Sequence, residues 1–190
     1  MVETSAPALA FVIAYAASGS DTKLSAIVAV GLAVVMAIGR LARRETPQHA
    51  LSGLLGVVIA AIFATKTGKA ENFYLPGLLA NAAYASAFLI SVLVRWPLVG
   101  VIAAQLERQH GWRDDPVRMA VYTRASLLWV ALFSVRIAVQ LPLYLAGAVV
   151  ALGVARAAMG IPLFALGLWL TWRMVVAQGI APGRDEPAAD

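Results

Sequence analysis

The chain has 190 residues, 61% of them hydrophobic and only 13% charged, with a mean hydropathy of +0.80 and a formal net charge of +5. A water-soluble domain is roughly half apolar and about a quarter charged, and one soluble core of this size cannot hide so much apolar surface, so an ordinary soluble globule is excluded. Cysteine is absent, which removes a disulfide framework, a thiol nucleophile and a thiolate metal site; the positive charge is mostly arginine near the ends of apolar runs, which sets membrane topology rather than forming a nucleic-acid patch.

The apolar runs are continuous and rich in Ala, Leu and Val, not short and alternating, so they predict membrane-crossing helices rather than a barrel. The expected fold is all-α: a polytopic transmembrane bundle of about six spans plus a short interfacial helix. No basic region precedes the first run, so it is expected to stay as an uncleaved anchor. That first span covers Ser5 to Ser18, with Pro7 in its first turn. It is short against the roughly 20 residues a crossing needs, so it leans on its neighbours or is re-entrant.

"SGSD", Ser18 to Asp21, is a turn. The second span runs from Leu24 to Leu41 and a basic loop with Arg40, Arg43 and Arg44 follows. Thr46-Pro47 opens the third span, His49 to Thr65, and a loop with Lys66, Lys69 and Glu71 leads through Pro76 to the fourth, Gly77 to Val94. Arg95-Trp96-Pro97 ends it. The next apolar stretch is too short to cross and suggests an amphipathic interfacial helix, followed by the polar turn "HGWRDDP". The fifth span runs from Val117 to about Leu145, interrupted at Pro142, and the sixth from Arg156 to Val176. One transmembrane domain, residues 1–178, then precedes a polar, disordered tail, residues 179–190.

Six spans put both termini on one side. Most of the arginine lies on that side, which predicts cytoplasmic termini in the cytoplasmic membrane. Lys23, Lys66, Lys69 and Arg156 fall on the other. If the stretch from Leu141 to Arg156 crosses separately, the C-terminus moves outside.

Helical spacing sorts the polar residues of the spans. Asn81, Tyr84, Phe88, Ser91 and Arg95 share one face of span four, and Trp129, Phe133, Arg136, Gln140 and Tyr144 share one face of span five. The faces correspond at a constant offset, Tyr84 with Trp129 and Pro97 with Pro142, either as a degenerate internal repeat or by chance. Arg136 has two readings: it snorkels to the headgroups if the helix stops near Pro142, or it lies deep beside a hydrated, anion-binding cavity if the helix continues. Gln140 adds a second polar group one turn on. Asn81 is the expected partner from span four, or else interhelical hydrogen-bond glue, and Arg95 beside Trp96 is an interfacial anchor or a ligand contact. The candidate ligand-binding set is therefore Arg136, Gln140, Asn81, Arg95 and Tyr84.

The absences narrow the chemistry. Every carboxylate falls in a loop or terminus on this reading, which disfavours an intramembrane proton relay and an oxygen cage for Mg²⁺ or Ca²⁺. No His-Glu-x-x-His pair, Gly-x-Ser-x-Gly elbow or potassium-filter string occurs. Asp114-Asp115 before Pro116 reads as a helix start. No enzyme chemistry, catalytic residue, metal or cofactor is expected.

The strings "HALSGLLGVVIAA", "KTGKAENFYLPGLLANAAYA", "RWPLVG", "AVQLPLYLAGAVVALGVARAAMGIPLFAL" and "WLTW" resemble an actinobacterial family of integral membrane proteins classed as a domain of unknown function. The likeness covers Ser5 to Trp172 and implies no catalytic residue. A more distant likeness, in the proline-opened first span, the basic loop after the second, the Pro-Leu break and the Trp-containing fifth, is to the intracellular septation protein A family, which implies an inner-membrane protein tied to the cell envelope. Two functions follow as expectations. One is a transport or channel-like unit for a small anionic or polar solute or a lipid headgroup. The other is an envelope scaffold that binds other membrane proteins. The bilayer, further copies of the chain and membrane-protein partners are expected; nucleic acid is not.

Overall fold

A computed structural model of the chain describes residues 2–43, 47–107 and 112–177. Seven α-helices follow in order: α1 Val2–Ala17, α2 Thr22–Ala42, α3 Pro47–Thr67, α4 Leu75–Leu93, α5 Leu98–Glu107, α6 Pro116–Leu145 and α7 Val149–Ala177, with a short 3-10 helix at Ala70–Phe73 before α4. Among the described residues there is no strand, so the fold is all-α, as the composition predicts. Four helices are long and apolar enough to cross a membrane: α2, α4, α6 and α7. The apolar parts of α1 and α3, Ala6–Ala17 and Leu51–Thr67, are shorter. The polar tail expected at residues 179–190 lies outside the described residues.

The helix starts come from local chemistry. The Asp21 carboxylate accepts from the backbone N–H groups of Lys23 (2.9 Å) and Leu24 (3.1 Å), capping α2. Asp115 does the same for Val117 (2.8 Å) and Arg118 (3.2 Å) at α6 and pairs with the Arg118 guanidinium at 3.3 Å, so the Asp-Asp-Pro signal is a helix start. The first N–H groups of α5 are met by serines on neighbouring helices. Leu98 N–H donates to Ser91 Oγ (3.1 Å) and Val99 N–H to Ser126 Oγ (3.2 Å).

Two helix starts differ from expectation, and the interruption expected at Pro142 is absent. Helix α1 begins at Val2, so Pro7 lies inside it rather than in its first turn. Helix α6 carries on through Pro142 to Leu145. It stops where Gly147 takes a left-handed φ of 65°. There Gly147 N–H bonds the Tyr144 carbonyl (3.0 Å) and Ala148 N–H bonds that of Leu143 (3.0 Å), the paired closure of a Schellman end. Helix α7 restarts at once, at Val149, instead of at Arg156 as the last span was expected to do.

The chain divides into two compact units, Met1–Asn81 with Arg136–Pro162, and Ala82–Val135 with Leu163–Asp190. In the first unit, Phe11 stacks on Phe73 with centroids 4.0 Å apart, and Tyr74 meets both rings edge-on. Val12, Val149 and Leu152 and a set of alanines complete that core. The buried stripe of α2 is Ser25, Ala26, Ala29, Ala33 and Ala37, small residues at helical spacing that let backbones approach closely. In the second unit Val99, Trp112, Val121, Tyr122, Ala125, Trp129 and Phe133 form the core. Gly100 is needed there: a Cβ would stand 2.8 Å from the Trp112 ring and 2.9 Å from that of Tyr122.

Candidate functional site

Arg136, on α6, is half-buried and donates from Nη2 to the backbone carbonyls of Met159 (2.6 Å) and Gly160 (2.7 Å) on α7. Those carbonyls lie just before Pro162, inside α7. Proline supplies no N–H and its ring presses on the carbonyl four residues back, which weakens the helical ladder over this turn. A charged donor placed there gives two main-chain oxygens of this turn a strong additional hydrogen bond.

Gln140, one turn on, is 3% exposed, and its amide makes no hydrogen bond to another described residue. Asn81 bonds the Gly77 carbonyl one turn back on its own helix (3.0 Å). Tyr84 is exposed, and its ring lies 5.4 Å from Phe133. The two predicted faces of α4 and α6 do meet within the second unit, through aromatics: Phe88 is 6.1 Å from Trp129 and 6.0 Å from Phe133. Trp129 also donates to Thr171 Oγ1 at 3.1 Å. Arg95 is exposed, with a left-handed φ of 57°, and closes the end of α4 as Arg95 N–H bonds the Val92 carbonyl and Trp96 N–H that of Ser91.

The first unit also holds a cavity of 230 Å³, and its charged residue is Arg156, which the spacing argument left at a span end. The lining comes from α1 (Ala8), α3 (Ser52, Gly53, Gly56, Val57, Ala60), Phe73, α4 (Pro76, Gly77) and α7 (Arg156). Gly77 makes room for the guanidinium: a Cβ there would stand 2.9 Å from Arg156 Cζ and 3.0 Å from Nη2. The guanidinium carbon lies 5.7 Å from the centre of the Tyr74 ring, within cation–π range. No carboxylate among the described residues pairs with Arg156, and helices α2, α3, α4, α6 and α7 contain no Asp or Glu. The guanidinium's N–H donors thus face a small, mostly apolar space without an anionic partner from the protein. What fits such a place chemically is an oxyanion.

Tyr74 supports the site from below. It is fully buried, its hydroxyl has no hydrogen-bond partner, and burial pushes its phenol above the ordinary range, partly offset by the positive charge of Arg156. Gly153 gives that hydroxyl its space, since a Cβ would stand 2.9 Å from it. Tyr144 bonds Asn72, and Asn72 donates to Thr67 Oγ1 at 2.8 Å, tying the end of α6 to the 3-10 helix that carries Phe73. The signal in the sequence was an arginine embedded in the apolar run from Val149 onward, with glycines at 147, 153 and 160 about it and no acid nearby.

A family model described as "Protein of unknown function (DUF3159)" matches residues 1–181, nearly the whole chain. No curated protein and no solved structure matches it.

Proposed function

We propose that this chain, which belongs to the DUF3159 family of proteins of unknown function, is a multi-pass protein of the cytoplasmic membrane that passes a small anionic or polar solute or a lipid headgroup, without enzymatic chemistry of its own. The carrying observation is Arg156: a guanidinium in a 230 Å³ cavity with no carboxylate partner among the described residues. A charge in an apolar span is costly, by about 3 kcal/mol or more, unless it is paired or hydrated, so an incoming anion has a large interaction to gain. Arg136, whose charge is spent on two backbone carbonyls, moves from the centre of the candidate site to its support, with Gln140 one turn away.

In this proposal α1 and α3 cross the bilayer alongside the four longer helices, giving six spans. The arginine-rich loop after α2 lies in the cytoplasm with both termini. The 3-10 helix and the Gly147 turn then face outward, and Arg156 with them.

A scaffold role is the second reading, favoured by α2. Ile27, Gly31, Val34, Val35, Ile38 and Gly39 are exposed along one side of that helix, and both glycines border open space. Such a side accepts another helix at close range, from a second copy or another membrane protein. Water separates the two readings. The chain has no cysteine, so single cysteines at Ser52, in the cavity, at Gln140, and at Leu93, 71% exposed on α4, can be probed in intact membranes with a thiol reagent that does not cross them. Labelling at Ser52→Cys but not at Leu93→Cys supports passage of a solute. Protection at both Ser52→Cys and Gln140→Cys in correctly inserted protein rejects it and leaves the scaffold.

A further inference from the structure

We infer that the Arg156 cavity receives the phosphate of an anionic membrane lipid, entering sideways from the bilayer past α3; this deepens, and rests on, the reading of the cavity as an anion site. Four observations converge on that ligand.

The first is charge. The guanidinium carries five N–H donors in a planar fork that matches phosphate oxygens, and the Tyr74 face engages its π surface rather than those donors. The second is depth. Arg156 is seven residues beyond Val149, about 10 Å along α7 at 1.5 Å per residue, and Gly77 is the third residue of α4. In the proposed topology both helices begin on the outer side, so the guanidinium lies about two turns in from that side, within reach of a headgroup drawn inward.

The third is lining. Apart from Arg156 and Ser52, every residue around the cavity is apolar or glycine, which suits a ligand that is charged at one end and hydrocarbon beyond it. The fourth is access. Ser52 and Gly56 are exposed at the cavity edge. Beside them on α3, Leu51, Leu55 and Ile59 are 53%, 58% and 46% exposed, a rim wetted by acyl chains rather than by a dissolved ion. The volume limits what enters: at about 30 Å³ per water, 230 Å³ equals roughly eight waters, room for a phosphate and its glycerol but not for the tails.

The test uses the full-length chain in nanodiscs of equal parts phosphatidylglycerol and phosphatidylcholine, released into the gas phase for native mass spectrometry. The wild type retains phosphatidylglycerol in preference to phosphatidylcholine. Arg156→Gln lowers that retention at least tenfold and Arg156→Lys less. Gly77→Ala keeps the charge in the chain but puts a methyl group where the guanidinium lies; only the flexible end of Arg156 must move to admit it, and retention falls as for Arg156→Gln. Arg43→Gln, at an exposed position after α2, retains the lipid as wild type does. Equal retention in wild type, Arg156→Gln and Gly77→Ala overturns the inference. So does loss of the lipid to millimolar inorganic phosphate, which would make free phosphate the ligand. The cysteine experiment keeps the two proposals apart. Labelling at Ser52→Cys with lipid retention indifferent to Arg156 rejects this inference and keeps solute passage. Protection at both Ser52→Cys and Gln140→Cys with retention dependent on Arg156 keeps the lipid site and rejects solute passage.

Discussion

At the scale of single residues, Arg136 and Arg156 have different fates in this chain, and spacing alone does not distinguish them. Arg136 was legible as an anomaly, a charge one turn from Gln140, but its partners are carbonyls on another helix, and nothing local to α6 announces them. Removing it takes a charged donor from the Met159 and Gly160 oxygens, so Arg136→Gln is expected to destabilise the protein by about 2 kcal/mol. Thermal unfolding of wild type and Arg136→Gln in detergent measures the cost. Arg156 was hidden for a different reason. Its role depends on where α7 begins, and that is decided by the left-handed Gly147 nine residues earlier. Tyr74 gives a second prediction. Its hydroxyl bonds nothing, so Tyr74→Phe changes stability at neutral pH by no more than about 0.5 kcal/mol. The folded state holds the phenolic proton more tightly than the unfolded chain does. That contribution is complete below pH of about 10 and is lost as the pH climbs above it. Unfolding midpoints from pH 8 to 11 should therefore fall more steeply for wild type than for Tyr74→Phe.

Elements were read better than residues, because a helix is announced by many side chains and a contact by two. The helix start at Asp115 and the short helix after Pro97 were legible in local chemistry, and the structure contains them; the turn read at Ser18 to Asp21 also caps α2. The C-terminal ends were harder to read, since a Schellman closure depends on one residue taking a positive φ. Gly147 does so freely, whereas Arg95 does so at a cost to its Cβ. Arg95→Gly should accordingly raise stability by up to about 1 kcal/mol, or about 2–4 °C in Tm. If Arg95 instead holds a ligand, as its place in the candidate set allows, the same variant gains stability and loses binding, and measuring both separates the roles. The aromatic meeting of α4 and α6 was half legible: helical spacing put Tyr84 and Phe88 on one face and Trp129 and Phe133 on another. That rings rather than amides and guanidinia join those faces follows from packing, which spacing does not encode.

For the whole molecule, hydropathy identifies a membrane protein at once, because no arrangement of 190 residues buries so much apolar surface in water. It is less decisive on the number of crossings, since Ala6–Ala17 and Leu51–Thr67 are short of a full span. The proposed topology makes a direct prediction: a cysteine at Lys69 is labelled from outside intact cells, and one at Arg43 only after the membrane is opened. The division into units was not legible, because it depends on contacts between distant stretches. Each unit is assembled from two separate pieces of chain, and for the first unit this has a consequence for how the protein is made. Once Asn81 has left the ribosome, the 54 residues from Ala82 to Val135 must be synthesised before the second piece starts. At about 5–20 residues per second that delay is roughly 3–11 s. Throughout it Phe11, Phe73 and Tyr74 are without Val149 and Leu152, which complete their core, and the pocket beside them has no arginine. A nascent chain halted at Val135 is therefore an inserted but unfinished protein, open to quality-control proteases until α7 arrives.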